Sequence, residues 1–294
     1  MSGDSRKKEK KRDRRDRKDA YYVKPDEASG AIILYLSPKK MNNVININLS
    51  VDATEILDFV RRKKDEGYPN ISIFSVILTS AVRLCAMRPK LNRFVKMNRL
   101  YERKEISMGF VAATSLDEEG KRVIMKPTFD PSVTVYEVAD KIRGDVSKIR
   151  SGESWGTDSS IEKIVRYPRP VIKLIAWTVR RLDQRGWVPS DLIQTDPNHA
   201  TMFISNMGSI GGLAPFHHLD EFGTNSIFAC IGKVREEHRI GEDGTVSKVP
   251  IVDIALTIDE RIADGIYFTK ALEQWREMLT DPDSLCDRYL KNDK

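Results

Sequence analysis

Hydrophobic and polar residues repeat at two different periods along the chain, and these periods separate predicted strands from predicted helices. Between positions 42 and 51, Ile45, Ile47, Leu49 and Val51 alternate with polar residues, which is typical of a strand with one buried face. Further strands are predicted at 106–114, 121–126, 202–205, 226–234 and 250–259. The polar stretch 117–120 is the predicted turn of a hairpin.

Helical periodicity fills most of the space between these strands. Asp52 and Glu55 have capping-box spacing ahead of one helix, and Thr134 and Glu137 have it ahead of a helix predicted at 134–149. Further helices are predicted at 72–87, which Pro89 ends, at 170–182 and at 264–279. The apolar segment 170–182 predicts a core or interface helix, with a lid or a membrane-surface element as the alternative.

The order of these elements indicates the fold class. Helices and strands mix along the whole length, with hairpins as well as longer crossovers. This mixture predicts a single α/β (α+β) domain with a large mixed sheet flanked by helices.

Charge is concentrated at the N-terminus. Residues 1–19 contain ten basic and five acidic side chains, whereas the whole chain contains 49 and 43. After Met1 this segment has no apolar residue before Ala20, so we predict a disordered charged tail over 1–20 and a folded domain over 21–294. Contact of residues 6–18 with nucleic acid or an anionic surface is the less favoured interpretation, because no aromatic residue is available for base stacking.

Several classes of protein are disfavoured by composition. No uninterrupted apolar run approaches the roughly 20 residues of a membrane span, and no secretory signal is recognisable. The three cysteines, Cys85, Cys230 and Cys286, have neither metal-ligand spacing nor a disulfide pattern. We therefore expect a cytoplasmic protein with no metal site.

A series of short motifs appears in the order found in one enzyme family. The motifs lie at 51–54, 87–92, 108–114, 204–208, 210–212, 228–232 and 259–265. Together they resemble the catalytic domain of the 2-oxoacid dehydrogenase acyltransferases, in the chloramphenicol acetyltransferase-like superfamily. The resemblance covers roughly residues 30–290. It implies a chloramphenicol acetyltransferase-like mixed sheet and a homotrimer with an active-site channel between subunits. It also implies a small-molecule acyl donor and acceptor, with coenzyme A or acyl-coenzyme A as co-substrate.

The resemblance also implies roles for individual residues. The segment Asp259–Gly265 has the frame of the family's His-x-x-x-Asp-Gly motif, but Glu260 stands in place of the catalytic histidine. Ser205 matches the serine that stabilises the oxyanion, and Asp264 matches an aspartate that acts mainly as a structural anchor. By the same resemblance, Asn206, His217 and His218 are the expected substrate-binding residues, and the two histidines lie where the family has channel-lining residues. Segment 162–200 is longer than the link usual in the family, which predicts a reshaped channel mouth.

Glu260 decides how far the activity can be inferred. Ordinary pKa values are about 4.3 for glutamate, 6.5 for histidine and 8.5 for a thiol, so glutamate is the weaker base by roughly 3 kcal/mol. Burial would reduce this gap, whereas pairing with Arg261 would increase it. One of the two histidines is an alternative base, although adjacent histidines on a polar loop are more often bystanders. We therefore predict either a coenzyme A-dependent acyltransferase with an altered site or a noncatalytic trimeric binding or scaffold protein.

Overall fold

The computed structural model describes residues 13–113, 122–151, 164–241 and 243–289. The strands are β1 (Ala20–Val23), β2 (Val44–Asp52), β3 (Arg93–Lys96), β4 (Arg99–Arg103), β5 (Ile106–Ala113), β6 (Arg122–Met125), β7 (Thr128–Phe129), β8 (Met202–Asn206), β9 (Ile227–Ile231), β10 (Arg235–Ile240) and β11 (Val246–Asp259). The α-helices are α1 (Ala28–Leu36), α2 (Thr54–Asp65), α3 (Ile73–Met87), α4 (Val135–Arg150), α5 (Arg169–Arg185), α6 (Ser190–Thr195) and α7 (Gly265–Thr280). The predicted hairpin turn at 117–120 lies outside the described residues.

The strands form two sheets. The larger has the order β10-β11-β9-β8-β5-β6, with β2 also paired to β11 and β7 to β5, and the smaller is β1-β4-β3. Strands β5, β8 and β9 run parallel to one another, whereas β11 is antiparallel to β2, β9 and β10. The predicted mixed sheet flanked by helices is therefore confirmed.

One face of the large sheet carries the main core. Alternate residues of β5, β8, β9 and β11 point into it and pack against α2, α3, α4 and α7. Trp275 of α7 is buried there and donates a hydrogen bond from Nε1 to Ser80 Oγ on α3, at 2.8 Å. That bond matters because a buried indole N–H without an acceptor would be costly.

The opposite face of the sheet is only partly covered. The loop after β8 covers its centre, where Leu219 packs with Phe228, Cys230 and Ala255. Towards β6, the paired residues Val111 and Ile124 are 43% and 38% exposed. This apolar edge is uncovered in the single chain.

Of the two predicted capping boxes, the structure confirms one and contradicts the other. At α4, Glu137 Oε2 accepts a hydrogen bond from the Thr134 backbone N–H at 2.9 Å, and the Thr134 side chain caps Glu137 in return, so this capping box is confirmed. The box predicted at Asp52 is wrong. Asp52 Oδ1 accepts from the Thr54 N–H at 3.0 Å, two residues on, and the helix begins after Ala53 without a side-chain cap. An Asx turn has replaced the predicted cap.

Segment 13–20 contacts the domain. Ala20 begins β1, which pairs with β4, and Arg17 is buried with its NH1 donating to the carbonyl of Asp183 at 3.0 Å. The boundary predicted at residue 20 therefore falls inside a packed segment. The part of the predicted tail at 1–12 lies outside the described residues.

Helix α5 occupies the predicted position, and of the two predicted roles, core or interface helix, the structure of the single chain excludes the first. Leu174 and Trp177 are 63% and 58% exposed, and Asp183 near its end is the buried residue of the helix. No helix in the described parts of the chain is long and apolar enough to cross a membrane.

Candidate functional site

Ser205 lies near the carboxyl end of β8, on the incompletely covered face of the sheet. Its strand neighbours Met202 and Ile204 point into the main core, so alternation places Ser205 and Phe203 on the other face. Register pairs Ser205 with Cys230, and its neighbour across on β5 is the exposed Val111. Within the described residues, Ser205 Oγ makes no hydrogen bond and is available to a ligand.

The turn after β8 depends on glycine. A Cβ on Gly208 would lie 2.5 Å from the carbonyl oxygen of Gly232, which follows β9. Gly211, with φ +75°, ends the turn in the left-handed region. Asn206 accepts a hydrogen bond from the Ser209 N–H at 3.3 Å, so its side chain supports this turn. The turn holds the end of β8 where Ser205 is displayed.

Glu260 is exposed and begins a 3-10 turn, Glu260–Ile262, directly after β11. The neighbouring guanidinium of Arg261 is committed elsewhere: it contacts both carboxylate oxygens of buried Asp259, at 2.8 and 2.7 Å, and the carbonyls of Ser37 and Pro38. No described cation pairs with Glu260. The carboxylate therefore remains available at the edge of a cleft of about 360 Å³.

That cleft lies between helices α1 and α7 and includes residues of the turn Glu260–Ile262, which connects β11 to α7. Helix α1 contributes Gly30 and Ile33, and α7 contributes Phe268. Beyond the cleft, α1 exposes Tyr35 and Leu36 to 64% and 74%. The surroundings of Glu260 therefore include a second uncovered apolar surface.

Strand register separates Ser205 from Glu260 within one chain. Ser205 is aligned with Cys230 on β9, which is aligned with Ala255 on β11, five residues before Glu260. At roughly 3.3 Å per residue and 4.8 Å per strand, the two Cα atoms are about 19 Å apart. A general base must reach the proton of the attacking group and an oxyanion donor must reach the acyl oxygen, so both residues must contact one reaction centre. One chain alone does not bring these two residues together.

Asp264 has a structural position. Its Oδ1 accepts a hydrogen bond from the Tyr267 N–H at 2.8 Å and caps α7, while Oδ2 lies 3.8 Å from Lys90 Nζ. The hydrogen bond from Tyr267, and more weakly the charge of Lys90, lower the pKa of Asp264. Asp264 therefore caps α7 and lies beside Lys90.

The two adjacent histidines lie on the loop that covers the sheet. His217 stacks on Phe228, with ring centroids 4.1 Å apart, and its Nδ1 is 3.0 Å from the carbonyl oxygen of His218. His218 Nε2 lies 3.4 Å from an Asp220 oxygen at an exposed position. Phe228 is two residues before Cys230, the partner of Ser205 on β9, so His217 stacks on a residue of the sheet face that carries Ser205.

The long segment before β8 builds a cavity beside these histidines. A space of about 630 Å³ lies between α5 and residues 218–222. Ile172, Ile175 and Val179 line one side, and Leu219 and Phe222 line the other. The lining is mainly apolar, as is typical of small-molecule pockets.

A buried polar cluster anchors this same segment, and the sequence interpretation had assigned no role to its histidine. His199 Nε2 lies 3.0 Å from Asp183 and Nδ1 lies 3.1 Å from Asp196, while Lys96 Nζ lies 2.6 Å from Asp183. Burial opposes the imidazolium charge, but hydrogen bonds to Asp183 and then Asp196 outweigh it and raise the pKa of His199. Two features of the sequence could have indicated this cluster: the Asp196-x-x-His199 spacing and the position of Asp183 on an apolar helix.

No metal centre is apparent in the described ranges, where no group of three or more histidine, cysteine or acidic side chains could hold an ion.

Comparison with known proteins identifies the family that part of this chain resembles. Residues 173–286 match the family model of the 2-oxoacid dehydrogenases acyltransferase (catalytic domain), a range that includes Ser205, Glu260 and Asp264. A lipoamide acyltransferase component of the mitochondrial branched-chain alpha-keto acid dehydrogenase complex of Arabidopsis thaliana is 27% identical over 92 residues. That alignment covers 31% of this chain and 18% of the plant protein. The chain therefore matches less than a fifth of the length of this curated relative.

Similar solved structures cover nearly the whole chain. A probable dihydrolipoamide acetyltransferase from Listeria monocytogenes has a TM-score of 0.58 at 15% identity, covering 92% of this chain and 96% of that one. A dihydrolipoamide acetyltransferase of Azotobacter vinelandii has 0.57 at 14% identity, covering 88% of each chain. A chloramphenicol acetyltransferase has 0.56 at 14% identity, covering 88% and 99%. The chain therefore has the chloramphenicol acetyltransferase-like fold, and the resemblance to the 2-oxoacid dehydrogenase acyltransferase catalytic domain is confirmed over residues 173–286.

Proposed function

We propose that this protein is a coenzyme A-dependent acyltransferase whose altered active site forms between two copies of the chain. The available carboxylate of Glu260 is the observation that carries the proposal, because Arg261 is held by Asp259 and leaves Glu260 at an open cleft. In the Azotobacter vinelandii enzyme the residues investigated for catalysis are a serine, a histidine and an asparagine, the last two four positions apart. Glu260 and Asp264 have the same spacing here.

The proposed chemistry uses both separated residues. Glu260 removes a proton from the thiol, hydroxyl or amine of the acceptor, which attacks the carbonyl carbon of the acyl thioester. Ser205 donates a hydrogen bond to the oxygen as it becomes negatively charged. The tetrahedral intermediate then collapses, the C–S bond breaks, and the coenzyme A thiolate leaves and takes up a proton.

A homotrimer is supported by the uncovered surfaces beside the two residues. Val111 and Ile124 are exposed next to Ser205, and α1 exposes Tyr35 and Leu36 beyond the Glu260 cleft. Apolar patches of this kind commonly mark contacts between protein surfaces. A second copy that covered both would place the serine of one chain near the glutamate of another and remove that glutamate from water. A carboxylate is a stronger base when it is desolvated.

Coenzyme A fits the cleft only in part. The space of about 360 Å³ has an apolar wall that suits the pantetheine arm, but Arg261 is its one lining cation and is already paired. The phosphate groups of the nucleotide would therefore contact cations outside this cleft. The cavity beside His218 extends the proposed channel towards the long segment 164–200, where a small acyl acceptor has an apolar pocket.

The experiment is a turnover assay with acetyl-coenzyme A and a panel of thiol, hydroxyl and amine acceptors. Glu260→Gln is expected to lower kcat by about 100-fold or more with oligomeric state unchanged. Glu260→His, which introduces the family's residue, is expected to raise the rate with thiol acceptors. Glu273→Gln removes an exposed carboxylate on α7 and serves as the matched control. Full turnover by Glu260→Gln would contradict the proposed base.

The replacement of the family's histidine favours a second candidate, a noncatalytic trimeric binding or scaffold protein on the same fold. On that hypothesis wild type gives no turnover with any acceptor, while binding of a ligand or partner survives Glu260→Gln. Isothermal titration with coenzyme A separates the two candidates. Absence of both binding and turnover would reject the acyltransferase.

The charged N-terminal segment offers limited support for binding an anionic partner. Arg17 is buried and paired with Asp19 at 3.0 Å, so its charge is used inside the domain. Arg15 pairs with Asp13 at 2.6 Å on the surface. A role in nucleic-acid contact would require a binding affinity that falls steeply between about 50 and 200 mM salt. Deletion of residues 1–12 tests this requirement without removing Arg17.

A further inference from the structure

A third cavity, distinct from the cleft and the apolar pocket, lies where β4, β5, α6 and the end of β6 approach one another. It has a volume of about 140 Å³. Arg103, Lys126 and Ser107 are its buried wall, and Lys18 and Lys104 lie on its more exposed side. Ser107 is hydrogen-bonded to Thr201, four residues before Ser205, which places the cavity roughly 13 Å from Ser205 along the strand direction.

The two buried cations in this wall have unused hydrogen-bond donors. Arg103 is 7% exposed and donates from its terminal nitrogens to the carbonyls of Asn92, Arg93 and Thr224 and to Thr224 Oγ1, whereas its Nε has no hydrogen-bond partner among the described residues. Lys126 is also 7% exposed, and the described residues offer its three N–H donors one acceptor, the carbonyl of Ile193. Neither cation forms a salt bridge with a described carboxylate.

Carboxylates near this cavity offset part of the charge without pairing with either cation: Asp19 favours the charged form of Arg103, and Asp196 favours that of Lys126. Asp19 lines the cavity but is bonded to Arg17, at 3.0 Å, and Glu105 is exposed. Burial, reinforced for Lys126 by the charge of Arg103, lowers the pKa of Lys126 to about 8. Burial likewise lowers the pKa of Arg103 to about 9. Buried charges in proteins are usually paired, so two neighbouring cations facing one cavity indicate a missing counter-charge.

The volume allows a small counter-ion. A water molecule occupies roughly 30 Å³ of liquid, so a cavity of about 140 Å³ has room for a group of five heavy atoms. A tetrahedral oxyanion has five heavy atoms and enough acceptor oxygens for the unused donors of both side chains. We propose that this cavity binds a small tetrahedral oxyanion of the phosphate or sulfate class, held by Arg103 and Lys126 with Lys18 and Lys104 at its mouth.

The test measures anion-dependent stability of the full-length protein. Sulfate is the first probe, because its charge is constant across neutral pH, and inorganic phosphate is the second. For a millimolar site, 10 mM sulfate is expected to raise the Tm by about 3 °C relative to sodium chloride of equal ionic strength. Lys126→Met keeps the length of the side chain and is expected to remove this shift, and titration calorimetry should show at least about a tenfold loss of sulfate affinity.

Lys40→Met is the matched control. Lys40 is 5% exposed, has a pKa lowered to about 8 mainly by burial, and donates to the carbonyls of Asp220 and Asn225 away from this cavity. The Lys40→Met variant should be less stable than wild type but should show the full increase of Tm in sulfate. If Lys126→Met does not fold, Lys104→Met at the exposed mouth provides the second variant and should weaken sulfate binding several-fold.

Two results would overturn the proposal. One is equal Tm values in sulfate, phosphate and chloride at matched ionic strength. The other is an undiminished sulfate shift in both Lys126→Met and Lys104→Met.

Discussion

Intersubunit complementation tests the separation of Ser205 from Glu260 directly. Register places these residues about 19 Å apart in one chain, so any site that uses both must take them from different copies. If the proposed homotrimer forms, Ser205→Ala and Glu260→Gln should each inactivate every site of the trimer that contains only that variant. Mixed trimers should regain activity, because the Ser205→Ala chain still supplies Glu260 and the Glu260→Gln chain still supplies Ser205.

The expected magnitude follows from cyclic symmetry. If each site pairs the serine of one chain with the glutamate of the next, every mixed trimer has one intact site, giving about one third of wild-type turnover. A mixed dimer would give about one half on the same reasoning. The two variants are co-expressed with different affinity tags, and mixed oligomers are isolated by sequential purification.

The assay is acetyl-coenzyme A turnover by the purified mixed oligomers, with the acceptor that wild type uses best. As a control for the tags, each variant is also co-expressed with itself in the two tagged forms and purified in the same way. Mixed trimers that remain as inactive as the two parent variants, while wild type is active, would refute a site shared between chains.

Three further predictions concern groups that support the site. Arg261→Met should lower the free energy of unfolding by about 3–5 kcal/mol in urea, because it leaves Asp259 buried without its partner. His199→Gln should destabilise the protein more at acidic than at alkaline pH. The raised pKa of His199 means that its charged form contributes fully below about pH 6.5, and this contribution is lost as pH rises through the folded-state value. Gly208→Ala should cost about 1–3 kcal/mol and lower acyl transfer, because the new Cβ meets the Gly232 carbonyl.

Each has a matched comparison. Arg239→Met removes an ion pair with Asp52 whose side chains are 50% and 36% exposed, and should change stability by less than about 1 kcal/mol. Equal losses for the two arginine variants would contradict the importance of burial. A parallel offset of the wild-type and His199→Gln stabilities at all pH values would contradict the titration argument. Gly211→Ala, with no atom within 4 Å of its Cβ, should cost only the strain of its φ of +75°.

Local sequence predicted the elements whose stability depends on nearby residues. The α4 capping box of Thr134 and Glu137 was predictable because both partners are three residues apart. The alternation that ends in Leu49 and Val51 was predictable because a strand with one buried face repeats every two residues. The predicted strand boundaries were less accurate. Strand β11 begins at Val246 rather than at 250, and its first residues pair with β10, a strand that was not predicted.

Elements that lack the usual local signal or depend on distant partners were missed. The hairpin of β3 and β4 turns at Met97 and Asn98, both with positive φ, where glycine would have been the usual signal. The buried position of Arg17 depends on Asp183, far along the chain. Charged sequence near the N-terminus therefore had the composition of a disordered tail although residues 13–20 pack on the domain.

By itself the sequence determined the fold class, the order of the motifs and the replacement of a histidine by Glu260, because these depend on residue type and short-range spacing. Tertiary structure decided that Arg261 binds Asp259 and leaves Glu260 available, and that Ser205 lies at the other end of the sheet. It also brought Arg103 and Lys126 to one cavity. These outcomes depend on strand register and on the burial of charge, both of which are set by contacts between distant parts of the chain.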